Sequence, residues 1–156
     1  MSEFSITSPD FEDGGEIPKE FGYKHGNEII MLTFSNFKDL NAKSLAVVMD
    51  DPDAMAAVGK VWVHYLRYST NIQRYRESGW TDYEKNEFDV MGLNDFGEID
   101  YGGPAPPDKR HTYVFKLYAL DDELGMTNDD VTKADVEKAM EGHIIEQATL
   151  TGTYAP

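Results

Sequence analysis

The chain has 156 residues, a formal net charge of −15 and no cysteine. This length favours one domain spanning residues 1–156, and a hydrophobic content of 40% favours a packed globule over a disordered chain. The lack of cysteine excludes disulfides, thiolate nucleophiles and Cys-ligated metal sites. The negative charge disfavours binding to nucleic acid or to an anionic membrane surface.

No apolar run reaches transmembrane length, and the first residues lack the basic and apolar regions of a signal peptide. We therefore expect a cytoplasmic protein without stable membrane insertion. The 13 glycines and seven prolines, placed mostly between short apolar runs, favour a loop-rich β protein.

The first third of the chain predicts a loop and two strands. Residues 1–22 read as an extended loop that Ile6 and Phe11 anchor to the body. Alternating apolar residues predict a strand over 28–34. The continuous apolar run 45–49 predicts a strand that is buried on both faces. In the first strand, one face is expected to carry Ile30, Leu32 and Phe34.

A turn and a further strand follow. Pro52 fixes its own φ angle and holds Asp51 extended, so residues 51–53 predict a turn that returns directly as a strand over 60–70. Strict alternation puts four residues on one face of that strand: Trp62, His64, Leu66 and Tyr68.

The second half predicts a long connection, two strands and a helix. Residues 71–100 are polar and read as an irregular connection of the kind that often carries function. A clear strand is predicted over 111–120, and a last one over 144–154. Between them, Thr132 opens a capping box for a helix that stops near Gly142. The helix is expected to bury Val136, Ala139 and Met140. On the strand over 111–120, we expect one face to carry His111, Tyr113, Phe115 and Leu117.

Two stretches have the same construction, a loop that leads into a strand beginning with or carrying a histidine. Asp51 and Asp53 flank a proline upstream of His64, and the Gly/Pro-rich loop from 101 onward leads into His111. We interpret these as parts of one pocket, because titratable groups brought together in this way are typical of functional sites. The alternatives are that both aspartates only bond the local turn backbone and that both histidines are satisfied core residues.

Other histidines and one motif have simpler interpretations. His25 and His143 read as structural residues, the latter at a helix end. Residues 95–97 spell a kinase-like Asp-Phe-Gly, but no glycine-rich phosphate loop accompanies it, so we interpret it as a chance match.

The chain carries two joint signatures. The first is Asp51-Pro52-Asp53-Ala54 followed by Trp62-x-His64. The second is Tyr101-x-Gly103-Pro104-x-Pro106-Pro107 followed by His111-x-Tyr113-x-Phe115. With them, the sequence resembles the phosphatidylethanolamine-binding protein family, in particular its bacterial and archaeal branch of Raf kinase inhibitor-like proteins. The resemblance covers roughly residues 4–154 and departs from the family pattern at Met55, at Thr112, at 108–110 and at 29–32.

The resemblance implies a mainly β fold of two packed, largely antiparallel sheets with a few peripheral helices. It also implies an anion pocket with Trp62 as a wall. Carried over position by position, the other ligand-binding residues are Asp51, Asp53, His64, Gly103, Pro107, His111 and Tyr113.

The chemistry of these residues suits a phosphate group. A carboxylate behind an imidazole favours the charged ring, amides near Gly103 can add neutral donors, and prolines stiffen the loop. We therefore expect a binding protein without turnover for phosphate or phosphoethanolamine-type head groups, with no cofactor and no metal. A protein partner such as a kinase is implied by the resemblance, and both a monomer and a homodimer are open.

Two other functions stay open from the residues alone. The Asp and His side chains can perform acid–base hydrolysis or hold a divalent metal, although no nucleophile motif or metal-ligand spacing is visible. The chain can also act as a protein-interaction module, with residues 71–100 as the contact.

Overall fold

The structure is a computed structural model that describes residues 4–36, 40–70, 80–82, 89–126 and 131–156. It contains nine strands, two α-helices and a 3₁₀ turn at Lys19–Phe21 within these residues. The strands are β1 Ser5–Thr7, β2 Gly15–Glu16, β3 Leu32–Ser35, β4 Ser44–Asp51, β5 Trp62–Ser69, β6 Trp80–Asp82, β7 Asp89–Met91, β8 His111–Leu120 and β9 Ile144–Tyr154. The helices are α1 Ala54–Val58 and α2 Lys133–Met140, and no helix in the described ranges is long and apolar enough to cross a membrane.

Two sheets form the body of the molecule. The larger has the order β2-β9-β8-β4-β5-β7, and the smaller has the order β1-β3-β6. Every strand pair is antiparallel except β2 with β9. The prediction of a mainly β fold with two largely antiparallel sheets and few helices is confirmed.

The core has two parts, one on each face of the larger sheet. One cluster joins the two sheets and includes Ile6, Leu32 and Phe34 from the smaller sheet and Val47, Met49, Phe115, Leu117 and Leu150 from the larger. The other packs Val136 and Met140 of α2 against Val48, Leu66 and Leu120. Because β4 is covered on both faces, all eight of its residues are buried, as its continuous apolar run predicts.

The C-terminal half of the chain follows its sequence pattern closely. β8 and β9 have the predicted bounds, and Tyr113, Phe115 and Leu117 share the core face as expected. Thr132 and Asp135 form the reciprocal capping box that opens α2. Gly142, at φ 78°, adopts the left-handed conformation just beyond the helix end. The side chains of Val136 and Met140 are buried, and that of Ala139 is half-buried.

The N-terminal third differs from its prediction in detail. Ile6 and Phe11 are buried as expected, but residues 5–7 pair with β3 as a strand and do not form a loop. The strand predicted from residue 28 starts only at Leu32. The residues just before Leu32 do not pair as a strand, because the Met31 amide donates to the Asp10 carboxylate at 2.9 Å and not to a neighbouring strand.

Two connections also hold structure that the sequence reading missed. The turn at 51–53 leads into helix α1, whose Ala-rich sequence is a good helix former, before Gly59 at φ 82° ends it. The segment 71–100, interpreted as irregular, contains strands β6 and β7. Residues 71–79 and 83–88, which make up much of the predicted partner contact, lie outside the described residues.

A register shift in β5 corrects the predicted faces of that strand. Met49 pairs with Tyr65 and Asp50 pairs with Val63, so His64 has no opposite residue in β4. The extra residue is a β-bulge, which breaks strict alternation. As a result the His64 ring contacts Tyr113 on the inter-sheet face, while Leu66 and Tyr68 pack on the α2 face.

Candidate functional site

A cavity of about 270 Å³ opens at one end of the larger sheet. Three strands reach it: β4 at its last residue, β5 at its first residues and β8 at its first residues. The loop before β8, helix α1 and two further loops complete the wall. The lining side chains are Tyr23, Lys24, Asp51, Ala54, Ala57, Val58, Trp62, His64, Phe96, Ala105, Pro107, His111 and Tyr113.

Asp51 ends β4 and forms the acidic floor of the cavity. Its side chain is only 4% exposed, and its Oδ2 atom accepts a hydrogen bond from His111 Nδ1 at 2.6 Å. Its other oxygen, Oδ1, is buried and has no hydrogen-bond partner among the described residues. Asp51 thus holds one imidazole and retains an unused acceptor.

His111 is fixed between two carboxylates. Nδ1 donates to Asp51, and Nε2 lies 2.7 Å from Asp108 Oδ1 on the preceding loop. Burial on its own would lower the pKa of His111, but the hydrogen bonds and negative charges of Asp51 and Asp108 outweigh it and raise that pKa above the ordinary value. The favoured ring is therefore an imidazolium that donates to both acids, so neither of its nitrogens is free.

His64 has the opposite character. Burial lowers the pKa of His64, and the partial compensation from the Gly102 carbonyl and the Asp51 charge does not cancel that effect. Nδ1 lies 2.7 Å from the Gly102 carbonyl oxygen, which only accepts, so the ring proton sits on Nδ1. Nε2 of the neutral ring then carries a lone pair and is an acceptor.

Aromatic rings form the walls. Tyr23 and Phe96 stack with ring centroids 3.9 Å apart, and Phe96 meets the rings of Trp62 and His64 edge-on at 5.6 Å. Tyr113 contacts His64 edge-on at 5.1 Å. These walls are stiff and apolar, so a polar guest in the cavity interacts mainly with the few polar atoms there.

Tyr23 and Phe96 were not predicted as site residues. Phe96 belongs to the Asp-Phe-Gly motif that reads as chance, and a local turn presents it: Asn94 Oδ1 accepts from the amides of Phe96 and Glu98, and Gly97 has φ 81°. Asp95 anchors this turn to β5 by accepting from the Val63 amide at 2.7 Å. The Asn-Asp-x-Gly pattern signals such a turn in the sequence, but nothing in it shows that the phenyl ring reaches the cavity.

Three buried polar atoms of cavity-lining side chains have no hydrogen-bond partner among the described residues: Asp51 Oδ1, Trp62 Nε1 and Tyr113 Oη. Burial, the Asp51 charge and the closeness of the Asp51 carboxylate to the hydroxyl raise the pKa of Tyr113 well above its ordinary value, against a smaller effect of the Ala105 amide, so the hydroxyl keeps its proton; it approaches both groups without a hydrogen bond of good geometry. Leaving a buried polar group unpaired costs about 1–3 kcal/mol. Three such atoms on residues that line one cavity make this cavity the candidate binding site.

The structure brings together six of the eight predicted ligand-binding residues: Asp51, Trp62, His64, Pro107, His111 and Tyr113. Asp53 is exposed and does not line the cavity; its Oδ2 accepts from the Thr112 amide at 2.8 Å. That contact is a long-range bond to the start of β8, so Asp53 neither bonds its own turn backbone there nor reaches the cavity.

Gly103 does not line the cavity either, and its amide is not free. Its N–H donates to Asn27 Oδ1 at 2.7 Å, and the neighbouring Gly102 amide donates to the His64 carbonyl at 2.8 Å. The Gly102 and Gly103 amides are therefore not available as anion donors in this conformation. Glycine is needed there because a Cβ atom would collide with the backbone carbonyl of Phe21.

A second and larger cavity, of about 470 Å³, lies beside β2 and the last residues of the chain, with His25 and Lys19 in its wall. None of its lining side chains has a buried polar atom that lacks a partner in the described part of the chain.

His143 lies at the end of α2. It bonds Asp121 Oδ1 at 2.8 Å, and its amide donates to the Met140 carbonyl. Across the described ranges, no group of three or more His, Asp or Glu side chains is arranged to hold a metal ion.

Comparison with known proteins decides the family. The profile of the phosphatidylethanolamine-binding protein family matches residues 7–155. The chain belongs to this family. A UPF0098 protein of Chlamydia pneumoniae is 39% identical over 153 residues, which cover 96% of this chain and 97% of that protein.

Solved structures agree with this family and fold. A phosphatidylethanolamine-binding protein homologue from Chlamydia trachomatis superposes with a TM-score of 0.84 at 36% identity, covering 99% of this chain and 98% of the other. YbcL of Escherichia coli, described as a member of the mammalian family, gives a TM-score of 0.79 at 28% identity, with 98% of both chains covered. The family resemblance and the fold class predicted from the sequence are confirmed.

Proposed function

We propose that this protein binds a small phosphate-bearing molecule, phosphate itself or a phosphoethanolamine-type head group, in the cavity at the end of the larger sheet. One observation carries the proposal. Trp62 and Tyr113 line the cavity, and Trp62 Nε1 and Tyr113 Oη are buried donors that have no hydrogen bond of good geometry in the described structure. Phosphate oxygens accept hydrogen bonds from donors of this type.

The size of the cavity supports a head group and not a whole lipid. At about 270 Å³, it lies just below the range of about 300–1,000 Å³ that is usual for drug-sized ligands. A phosphate with a two-carbon amine can be enclosed there, whereas acyl chains would have to remain outside.

Lys24 supports the entry of an anion. It is exposed and contributes to the cavity wall, so it places a positive charge at the mouth of a protein whose net charge is −15. Long-range steering by this protein repels anions, and affinity must therefore come from close contacts.

Binding without turnover fits the state of the acid–base groups. Both His111 nitrogens are engaged by carboxylates, and no serine or threonine is among the lining residues. His64 and Asp51 Oδ1 stay available as hydrogen-bond acceptors for a ligand.

Isothermal titration with phosphoethanolamine tests the proposal, with Tyr113→Phe and Trp62→Phe as variants. Each variant removes one donor, and a lost hydrogen bond to a charged group should weaken binding by about 10- to 100-fold. Tyr118→Phe is the matched control, because Tyr118 lies on the same strand but packs with the cluster on the α2 face. Absence of binding at millimolar ligand, or equal binding by wild type and Tyr113→Phe, would overturn the proposal.

A further inference from the structure

We infer that the cavity selects a phosphate group that still carries a proton, and that it therefore accepts phosphomonoesters and rejects phosphodiesters. This inference rests on the proposed function and specifies the ligand of the same cavity. It is carried by the acceptors in the wall, whereas the proposed function is carried by the donors.

The first acceptor is Asp51 Oδ1. It is buried and has no partner among the described residues, and Asp51 lines the same cavity as Trp62 and Tyr113. Because the Tyr113 hydroxyl lies near the Asp51 carboxylate, a phosphate that bonds this hydroxyl also approaches that carboxylate. Two bare anionic oxygens in contact repel each other strongly in a poorly solvated site. A P–OH group in that position donates a hydrogen bond to Asp51 instead.

The second acceptor is His64 Nε2. The Gly102 carbonyl oxygen lies 2.7 Å from Nδ1 and can only accept, so it fixes the proton of the neutral ring on that nitrogen. Nε2 is left as a lone pair on a side chain that lines the cavity. The polar lining thus offers two donors, Trp62 and Tyr113, and two acceptors, Asp51 and His64. A ligand that only accepts hydrogen bonds leaves both acceptors unsatisfied.

The local charges act in the same direction. Three ionisable groups meet at the floor, the Asp51 carboxylate from β4, the His111 imidazolium from β8 and the Asp108 carboxylate from the loop before it. Together they carry one negative charge. Asp95, near His64, is compensated by an ion pair with Lys60 at 2.9 Å, and Lys24 is the positive group at the mouth. A phosphate dianion is therefore disfavoured relative to a protonated monoanion.

These features separate two chemical classes. A phosphomonoester loses its last proton with a pKa of about 6, so near neutral pH a substantial fraction carries a P–OH group. A phosphodiester carries no P–OH group at that pH. The head group of an intact phospholipid is a diester, whereas free phosphoethanolamine is a monoester. The shared chemistry is a phosphoethanolamine group, and the cavity is predicted to take its free form.

The test compares phosphoethanolamine with glycerophosphoethanolamine by isothermal titration at about pH 6, where roughly half of the monoester is protonated. We expect the monoester to bind at least about 10-fold more tightly, since one charge-assisted hydrogen bond is gained and one repulsive contact is avoided. Methyl phosphate and dimethyl phosphate provide the same comparison without the amine. Vesicles that contain phosphatidylethanolamine should not compete with phosphoethanolamine.

Asp51→Asn sharpens the test. The amide oxygen can still accept from His111, which also keeps Asp108 as a partner, while the new NH₂ group turns the free acceptor into a donor. The monoester-to-diester affinity ratio should fall to about one or invert, because the diester can now satisfy this position. The ratio is measured within one protein, so a partly unfolded fraction cancels. Asp53→Asn removes an equal charge outside the cavity and should leave the ratio unchanged.

The outcomes distinguish the inference from the proposed function. Equal binding of monoester and diester by the wild-type protein overturns the inference and leaves the proposed function intact. A monoester-to-diester ratio in Asp51→Asn that equals the wild-type ratio has the same two consequences. If neither ligand binds, the proposed function fails as well. Competition by phosphatidylethanolamine vesicles assigns the site to a lipid surface and contradicts the inference.

Discussion

β4 ends in two adjacent aspartates that face opposite sides of the larger sheet, and their surroundings differ sharply. On the α2 side, Asp50 Oδ2 receives Lys133 Nζ at 2.8 Å and Lys116 Nζ at 3.3 Å. On the inter-sheet side, Asp51 receives only the His111 ring and keeps Oδ1 unpaired among the described residues. Both side chains are almost fully buried, at 2% and 4% exposure.

The difference separates a carboxylate that is paired within the fold from one that keeps an acceptor for the proposed ligand. Two ammonium groups compensate the charge of Asp50 and tie α2 to the sheet, and its pairing raises the pKa of Lys133 against the opposing effect of burial. Asp51 retains an unsatisfied buried atom, which costs stability unless a ligand satisfies it. Burial alone does not distinguish the two, whereas the hydrogen-bond partners do.

Exchanging each carboxylate for its amide should break the two sites in opposite ways. Asp50→Asn leaves two partly buried lysines without a counter-charge and should lower the unfolding free energy by about 3 kcal/mol, the lower end for a broken buried pair, with phosphoethanolamine affinity nearly unchanged. Asp51→Asn should cost less stability and change ligand selection strongly. Urea denaturation and calorimetry measure both. Equal stability losses would contradict the distinction.

Tyr113→Phe should make the protein without ligand more stable while it weakens binding. The substitution removes a buried hydroxyl that has no partner in the described structure, and relief of that penalty should raise the unfolding free energy by about 1 kcal/mol. The measurement is urea denaturation without and with phosphoethanolamine. A loss of stability on the same scale would show that the hydroxyl is already satisfied in the folded protein.

Asp108→Asn should strengthen anion binding slightly. The amide oxygen of the variant can still accept from His111 Nε2. One of the two carboxylate charges beside the His111 ring is lost, so the pKa of His111 should fall. Because the Asp108 side chain is 42% exposed, solvent screens its charge, and we expect phosphoethanolamine affinity to rise only about two- to fivefold. Weaker binding would instead identify Asp108 as a ligand contact. Asp53→Asn is the control for a nearby exposed charge.

The two cavity histidines should give opposite, small slopes of stability with pH. His111 has a raised pKa, so its contribution is full below about pH 6.5, the unfolded value, and is lost as pH rises through the folded pKa. His64 has a lowered pKa, so stability is lost as pH falls below about 6.5. In His111→Gln only the contribution of His64 remains of the two, and the unfolding free energy should rise with pH between about 5 and 8. A fall over that range would reverse the assignment.

Much of the fold could be predicted because local signals agree with the packing. The run 45–49 is apolar on both sides, and β4 is covered by a sheet on one face and by α2 on the other. β8 alternates with period two, and the Thr132 box and Gly142 mark the limits of α2. These signals are short-range, so one sequence suffices to read them.

The rest of the site depends on contacts that no local pattern encodes. The bulge at His64 follows from pairing with β4, and it turns the ring toward Tyr113 although alternation places it with Leu66. Phe96 reaches the cavity from a loop whose sequence predicts only a turn. Gly103 was expected to offer a free amide, yet Asn27, 76 positions away along the chain, occupies it.

A crystal structure with phosphoethanolamine tests the central claim most directly. The account predicts the phosphate within hydrogen-bonding distance of Trp62 Nε1, Tyr113 Oη and Asp51 Oδ1, with the amine directed to the mouth and away from the Lys24 ammonium. The amine bound at Asp51 with the phosphate outside, or the ligand in the second cavity with all three atoms still unpaired, would contradict it.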